Sequence, residues 1–173
     1  MRFFSGFSLK NEAYLFDKYI RESDYTVCGF SYGAIKAYEY VSEQLRLGKR
    51  VDSLQLFSPA FFQSRDEKFK RLQLSAYQRN EDAYMKQFVS SCFFPYEKKI
   101  LEHKETSREE LKELLYYEWS LSGLRKIEDR GVKIEVYLGG EDKIIDVHGA
   151  RELFLKVATV SYIKSANHFL QIN

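Results

Sequence analysis

Ser31 stands in the stretch Val27-Cys28-Gly29-Phe30-Ser31-Tyr32-Gly33-Ala34, a setting that suits covalent chemistry. A serine hydroxyl is a weak nucleophile, so it must be lifted clear of the backbone and placed beside a base and hydrogen-bond donors. A sharp turn between a strand and a helix does this. The turn crowds its own backbone, and G-x-S-x-G supplies small residues on both sides of the serine, here Gly29 and Gly33. Short patterns of this kind also arise by chance, so the weight falls on context. Tyr25-Thr26-Val27-Cys28 is a β-prone apolar run, and Ala34, Ala37, Val41 and Leu45 recur at helical spacing until Gly48 stops them.

The partners of such a serine are sought beyond the carboxyl ends of parallel strands, where functional loops collect in an open sheet. Four loops qualify: Ser5-Gly6-Phe7, Ser31 itself, Asp142 and His168. His168 is the best-placed base, because His103 lies in a helical middle region and His148 opens a helix. Asp142 is the preferred acid, with Asp146 in reserve: Asp142 also suits a turn after Gly139-Gly140, and Asp146 a helix cap. The N–H groups of Phe7 and Tyr32 are candidates to hold a tetrahedral oxyanion. Serine attack on an ester carbonyl, with His168 as general base, is the chemistry this set could perform, and it needs no metal or cofactor.

The elements that must position these residues follow from periodicity. A strand at Met1–Phe4 leads into a helix starting near Asn11-Glu12, capped by Asn11 or Ser8, with Ala13, Phe16 or Asp17, and Ile20 on its apolar face. The elbow strand comes next, so a right-handed parallel crossover is expected. Leu54, Leu56 and Phe57 form a third strand closed by Ser58-Pro59. Residues 60–126 then turn helical and aromatic, with Ser107 and Glu110 as a capping box, and read as an insertion between core segments 1–59 and 127–173. Val132, Ile134, Val136 and Leu138 alternate as a strand, Val147 to Val157 is a helix, and Thr159–Ile163 is the last strand.

At 173 residues the chain is long enough for one domain with a substantial core. With 27 basic and 25 acidic residues, a net charge of +2, it has no signature of bulk nucleic-acid binding. Cys28 and Cys92 read as small buried hydrophobes rather than a disulfide. The first residues reach Gly6 too soon for a secretory leader and no apolar run approaches membrane-spanning length, so a cytoplasmic protein without membrane contacts is expected.

The chain resembles the α/β-hydrolases. Phe4-Ser5-Gly6-Phe7-Ser8-Leu9 is similar to that family's His-Gly-aromatic oxyanion loop, with Ser5 in place of histidine, and Gly139-x-x-Asp142 and Asn167-His168-Phe169 match its acid and base loops. The resemblance implies an α/β fold of about five parallel strands flanked by helices, a reduced version lacking the family's first, second and fourth strands. The strands that remain are neighbours in the family's sheet, so the trimming leaves an exposed edge without breaking the fold. Only five residues follow His168, which leaves little room for the family's terminal helix and less support for the base.

Residues 60–126 stand where the family carries a cap over its serine. Phe61, Phe62, Tyr77, Tyr84, Phe88, Phe93, Phe94, Tyr116, Tyr117 and Trp119 would form the cap's own core, a few of them lining an acyl slot, with Phe93 and Tyr116 as candidate substrate contacts. Lys68, Lys70, Arg71 and Arg79 could meet an acidic partner or simply face solvent. Among small hydrolases the whole chain is most similar to the reduced esterases of bacterial biotin synthesis that act on pimeloyl-[acyl-carrier protein] methyl ester. That resemblance implies release of methanol from the ester and an acyl carrier protein as partner; a monomer or weak dimer is expected. A thioesterase or acyltransferase using the same Ser31, or a non-catalytic binding protein on this fold, are the other readings.

Overall fold

The computed structural model describes residues 1–172. Strands β1 (Arg2–Phe4), β2 (Thr26–Phe30), β3 (Ser53–Phe57), β4 (Lys133–Gly139) and β5 (Thr159–Ile163) form one sheet in chain order, each neighbouring pair parallel. Helices α1 (Tyr32–Arg46), α2 (Glu67–Arg79), α3 (Glu81–Phe93), α4 (Arg108–Tyr116), α5 (Leu121–Glu128) and α6 (Val147–Phe154) complete the described residues. The helix expected up to Val157 thus ends at Phe154.

Period-2 alternation divides the sheet into two faces. Val27, Leu54, Leu56, Ile134, Val136 and Leu138 meet α1, α5 and α6 in one core cluster, to which α1 contributes Ala34, Ile35, Ala37, Val41 and Leu45. Cys28, Phe30 and Phe57 point the other way, against Leu9, Phe16, Phe93, Phe169 and Leu170. Burying such side chains contributes about 2 kcal/mol each, so both clusters hold the loops at the strand ends in place.

The second face departs from expectation. The segment before β2 forms a five-residue 3₁₀ turn, Glu12–Phe16, in place of a helix, and neither proposed cap acts as one. The Asn11 side chain accepts the Glu102 N–H and donates to the Glu102 carboxylate, while Ser8 Oγ bonds the Lys104 carbonyl. Phe16 and Leu9 place this connection on the face opposite α1, although β1 to β2 and β2 to β3 step across the sheet in the same direction. The two connections are therefore of opposite hand, and a right-handed crossover at both is excluded. The usual rule rests on a helix packing back onto a twisted strand, and the β1–β2 connection contains no α-helix to impose it.

Toward the base of this second face the sheet is polar. Gln55 is fully buried and bonds the Tyr19 carbonyl, Glu135 and Tyr137, and Arg21 and Lys133 pair with Glu135. Edge strand β1 is only three residues long, and its Arg2 guanidinium lies 4.3 Å over the Tyr40 ring, two features that blunt an exposed edge.

Residues 60–126 carry no strand, and the 126/127 boundary falls inside α5, which packs on α1. Trp119, counted by sequence among the cap aromatics, is buried against Tyr38 and Phe154, with its indole N–H donating to the Ala60 carbonyl. Ser107 and Glu110 form the expected capping box at α4. Cys28 and Cys92 are free and buried. No helix of the described residues is long and apolar enough to cross a membrane.

Candidate active site

Ser31 follows β2 at φ 53° and ψ −115°, a conformation an L-residue seldom adopts, and helix α1 begins at the next residue. The backbone pins this strained corner: Ser31 N–H donates to the Phe57 carbonyl at 2.9 Å, and its own carbonyl accepts from Ala34 and Ala60 at 3.1 Å each. Both flanking glycines are required by space. A Cβ on Gly29 would overlap the Gly33 carbonyl, and one on Gly33 would overlap the Phe4 and Ser5 carbonyls. The second overlap also shows how closely the end of β1 approaches the start of α1.

Ser31 Oγ lies 3.1 Å from His168 Nε2, and His168 Nδ1 lies 2.6 Å from Asp142 Oδ2. The His168 and Asp142 side chains are wholly buried, and Ser31 is 2% exposed. Asp142 Oδ1 accepts from Ile144 N–H at 2.7 Å and Ile145 N–H at 3.3 Å, which leaves Oδ2 for the imidazole. A carboxylate only accepts, so the ring proton sits on Nδ1 and the Nε2 lone pair faces the serine hydroxyl. That is the arrangement in which the ring takes up the serine proton. Asp146 is engaged elsewhere: it caps α6 through Gly149 N–H and accepts from Ser64 Oγ.

His168 is held by packing and hydrogen bonds around its loop. Its ring centroid is 4.9 Å from that of Phe30. The neighbouring Asn167, fully buried, donates to the Phe93 carbonyl at 2.8 Å and accepts from Gln171 N–H at 3.0 Å. The Phe93 ring packs tilted against Phe169, with centroids 4.5 Å apart. The end of α3 thus clamps the base loop, a role for Asn167 that spacing alone does not signal.

Phe7 and Tyr32, the two candidates for the oxyanion, lie beside each other. Their rings meet edge to face with centroids 6.4 Å apart, and neither backbone N–H has an acceptor among the described residues. Burial, followed by the Glu113 carboxylate that accepts the Tyr32 hydroxyl at 2.6 Å, pushes the Tyr32 phenol well up.

A cavity of about 200 Å³ opens at Ser31, walled by Phe62, Phe69, Tyr84, Phe88, Leu111 and Leu114, with Gln73, Gln87 and Ser91 among its polar lining. Two expected substrate contacts are absent from it. Phe93 is buried under the base loop, and Tyr116 turns its hydroxyl to Glu67 with Lys70 Nζ 5.0 Å from its ring centroid. The reason is helical phase: α3 presents Tyr84, Phe88 and Ser91 to the cavity while Phe93 lies past them at the helix end. The basic set divides likewise. Lys68, Arg71 and Arg79 are exposed, Arg71 is paired with Glu67, and Lys70 is buried, so these four residues do not share one charged face. Among the described residues no group of three histidine, cysteine or acidic side chains could hold a metal ion.

No protein-family model and no curated protein matches the sequence. Among solved structures the chain is similar to a hydrolase from Oleispira antarctica (TM-score 0.65, 10% identity, covering 84% of this chain and 58% of that one). It is similar also to a bromoperoxidase from Bacillus anthracis (TM-score 0.63, 13% identity, 84% of this chain and 60% of that one). A third is the carboxylesterase CesB from Bacillus subtilis (TM-score 0.55, 16% identity, 94% of this chain and 62% of that one). The chain spans about six-tenths of the length of each. At these identities the likeness is one of fold, and it agrees with five parallel strands flanked by helices and a strained serine at a strand-to-helix corner: the chain has a reduced α/β-hydrolase fold.

Proposed function

We propose that this protein is a serine carboxylesterase. The observation that carries the reading is the buried relay from Ser31 through His168 to Asp142, with contacts of 3.1 and 2.6 Å. In the proposed reaction His168 Nε2 takes the hydroxyl proton as Ser31 Oγ attacks the ester carbonyl, and Asp142 holds the imidazolium that forms. The N–H groups of Phe7 and Tyr32 receive the oxyanion. Collapse of the tetrahedral adduct expels the alcohol, which leaves with the proton from His168, and water then repeats the sequence to free the acid.

The substrate in this reading is the methyl ester of a short dicarboxylic acyl group borne by an acyl carrier protein, that is, pimeloyl-[acyl-carrier protein] methyl ester, cleaved to methanol and the free acid. Two features support it beside the resemblance of the sequence. The cavity, about 200 Å³, is smaller than the usual drug-sized pocket and suits a slender chain. Helix α2 contributes Phe69 and Gln73 to that cavity and carries the exposed Lys68 and Arg79 on its solvent side, so an acidic carrier resting on α2 would stand beside the slot. The cap assignment of residues 60–126 and a cytoplasmic location belong to the same proposal.

The first test is the intact mass after treatment with a fluorophosphonate. One adduct is expected on the natural chain and none on Ser31→Ala or His168→Ala; an unlabelled, folded natural chain refutes the esterase reading. For the carrier, a Lys68→Glu, Arg79→Glu double variant is expected to lose roughly tenfold or more in kcat/KM on the carrier-bound ester while p-nitrophenyl acetate hydrolysis stays within about twofold. Equal losses on both substrates refute docking at α2.

A further inference from the structure

Glu12 is fully buried, yet it takes no part in the relay. Its Oε1 accepts the Gly6 N–H at 2.6 Å, whereas Oε2 has no hydrogen-bond partner among the described residues. A carboxyl group is costly to bury on these terms, and burial pushes it above its ordinary range, with the Gly6 amide, the Ser5 side chain and Lys104 acting the other way. Such a group in so small a protein calls for an explanation.

The explanation lies one residue along. Gly6 has no side chain to restrict its rotation, and it immediately precedes Phe7, the proposed oxyanion donor, whose N–H has no acceptor among the described residues. Two contacts fix the peptide planes on either side of Gly6: Glu12 holds its N–H, and the Leu9 N–H holds its carbonyl at 3.2 Å. Farther along, Ser8 is tied to Lys104 through both its carbonyl and its hydroxyl. With the Glu12 contact removed, the Ser5–Gly6 peptide loses its anchor, and the Gly6–Phe7 peptide that carries the Phe7 N–H is held only by the Leu9 bond to the Gly6 carbonyl.

We infer that Glu12 is a positioning residue for the oxyanion site: by anchoring the Gly6 amide it aims the Phe7 N–H at the point where negative charge develops. The inference rests on the esterase reading and adds to it a residue that the relay itself does not require.

The test compares the natural chain with Glu12→Met, which removes the acceptor at similar volume, and Glu12→Gln, which keeps an acceptor oxygen. On p-nitrophenyl acetate, Glu12→Met is expected to lower kcat about 10- to 100-fold with KM changed by less than about threefold, since a donor misaimed by a fraction of an ångström loses most of its worth. Glu12→Gln is expected to restore kcat to within about threefold of the natural chain. The affinity of a trifluoromethyl ketone, whose adduct places an oxyanion at this point, is expected to fall in Glu12→Met by the same factor as kcat/KM. A purely structural role would instead lower thermal stability and leave kcat of the folded fraction unchanged. That outcome, on an active natural chain, overturns the inference alone; a folded natural chain that neither turns over ester nor accepts a fluorophosphonate overturns the esterase reading and this inference together. If Glu12→Met does not fold, the Gly6 amide proton of the natural chain decides by NMR. It is expected downfield of the ordinary backbone range and to shift on binding the ketone, and an ordinary, unmoved resonance overturns the inference.

Discussion

Asp142→Asn offers the sharpest trial of the relay, because the structure dictates how the new side chain must sit. Asp142 Oδ1 receives two backbone N–H groups, from Ile144 and Ile145, and Oδ2 receives His168 Nδ1. An asparagine amide has one oxygen and one NH₂. Turning the NH₂ toward Ile144 and Ile145 would set donors against donors, so the oxygen stays there and the NH₂ faces His168. The imidazole must then offer Nδ1 as a lone pair and carry its proton on Nε2, where it confronts Ser31 with a donor in place of a base. This is the wrong tautomer for removing the hydroxyl proton, a defect worth about 10⁴ in kcat where it has been isolated, or about 5 kcal/mol of transition-state stabilisation. The assay is p-nitrophenyl ester hydrolysis at neutral pH, with thermal unfolding of the same samples to show that the backbone contacts of Asp142 survive. Asp146→Asn is the control: asparagine caps a helix as well as aspartate does, so activity within about threefold of the natural chain is expected. Asp142→Asn retaining more than about a tenth of the natural kcat would refute the reasoning, and so would Asp146→Asn losing as much as Asp142→Asn.

Two further outcomes follow from buried polar groups. Asn167→Ala removes the bonds to Phe93 and Gln171, while the Phe93 carbonyl keeps the Tyr96 N–H, a loss of roughly 1–3 kcal/mol; at about 2–4 °C per kcal/mol a thermal melt is expected to fall by about 2–12 °C, and an unchanged melt would exclude the clamp. Glu12 gives a pH dependence of known sign. Burial holds its carboxyl above the ordinary value, so between the ordinary and the raised value the native chain keeps a proton that the unfolded chain has released, and the stability from this group falls as pH rises. Glutamine does not titrate, so denaturant titrations at about pH 4 and about pH 7.5 are expected to show Glu12→Gln gaining stability on the natural chain at the higher pH; an equal or opposite change would show that the raised value is wrong.

The strand-to-helix corner was legible because its demands are local. Gly29, Ser31 and Gly33 follow from crowding within five residues, and the helix after them from the spacing of Ala34, Ala37, Val41 and Leu45. The alternation in Val132, Ile134, Val136 and Leu138, and the β-prone character of Thr159–Ile163, likewise marked β4 and β5, and with them the loops of Asp142 and His168. In the helical region the sequence was a poorer guide. Phe93 and Phe88 are both aromatic residues of α3, yet one braces the base loop and the other lines the cavity.

Composition, periodicity and the G-x-S-x-G corner pointed to the fold class and to Ser31 and His168 as candidates, because each depends on residues near one another in the chain. Tertiary structure decided the rest. Only packing could choose Asp142 over Asp146, since both are acids in the same loop and the choice depends on which one meets a ring 26 residues away. Only packing placed the β1–β2 connection opposite α1, because a chain without an α-helix there has no local rule to follow. And only packing singled out Glu12 and Asn167, whose roles depend on whether a buried polar atom finds a partner, a property of the folded chain that no spacing encodes.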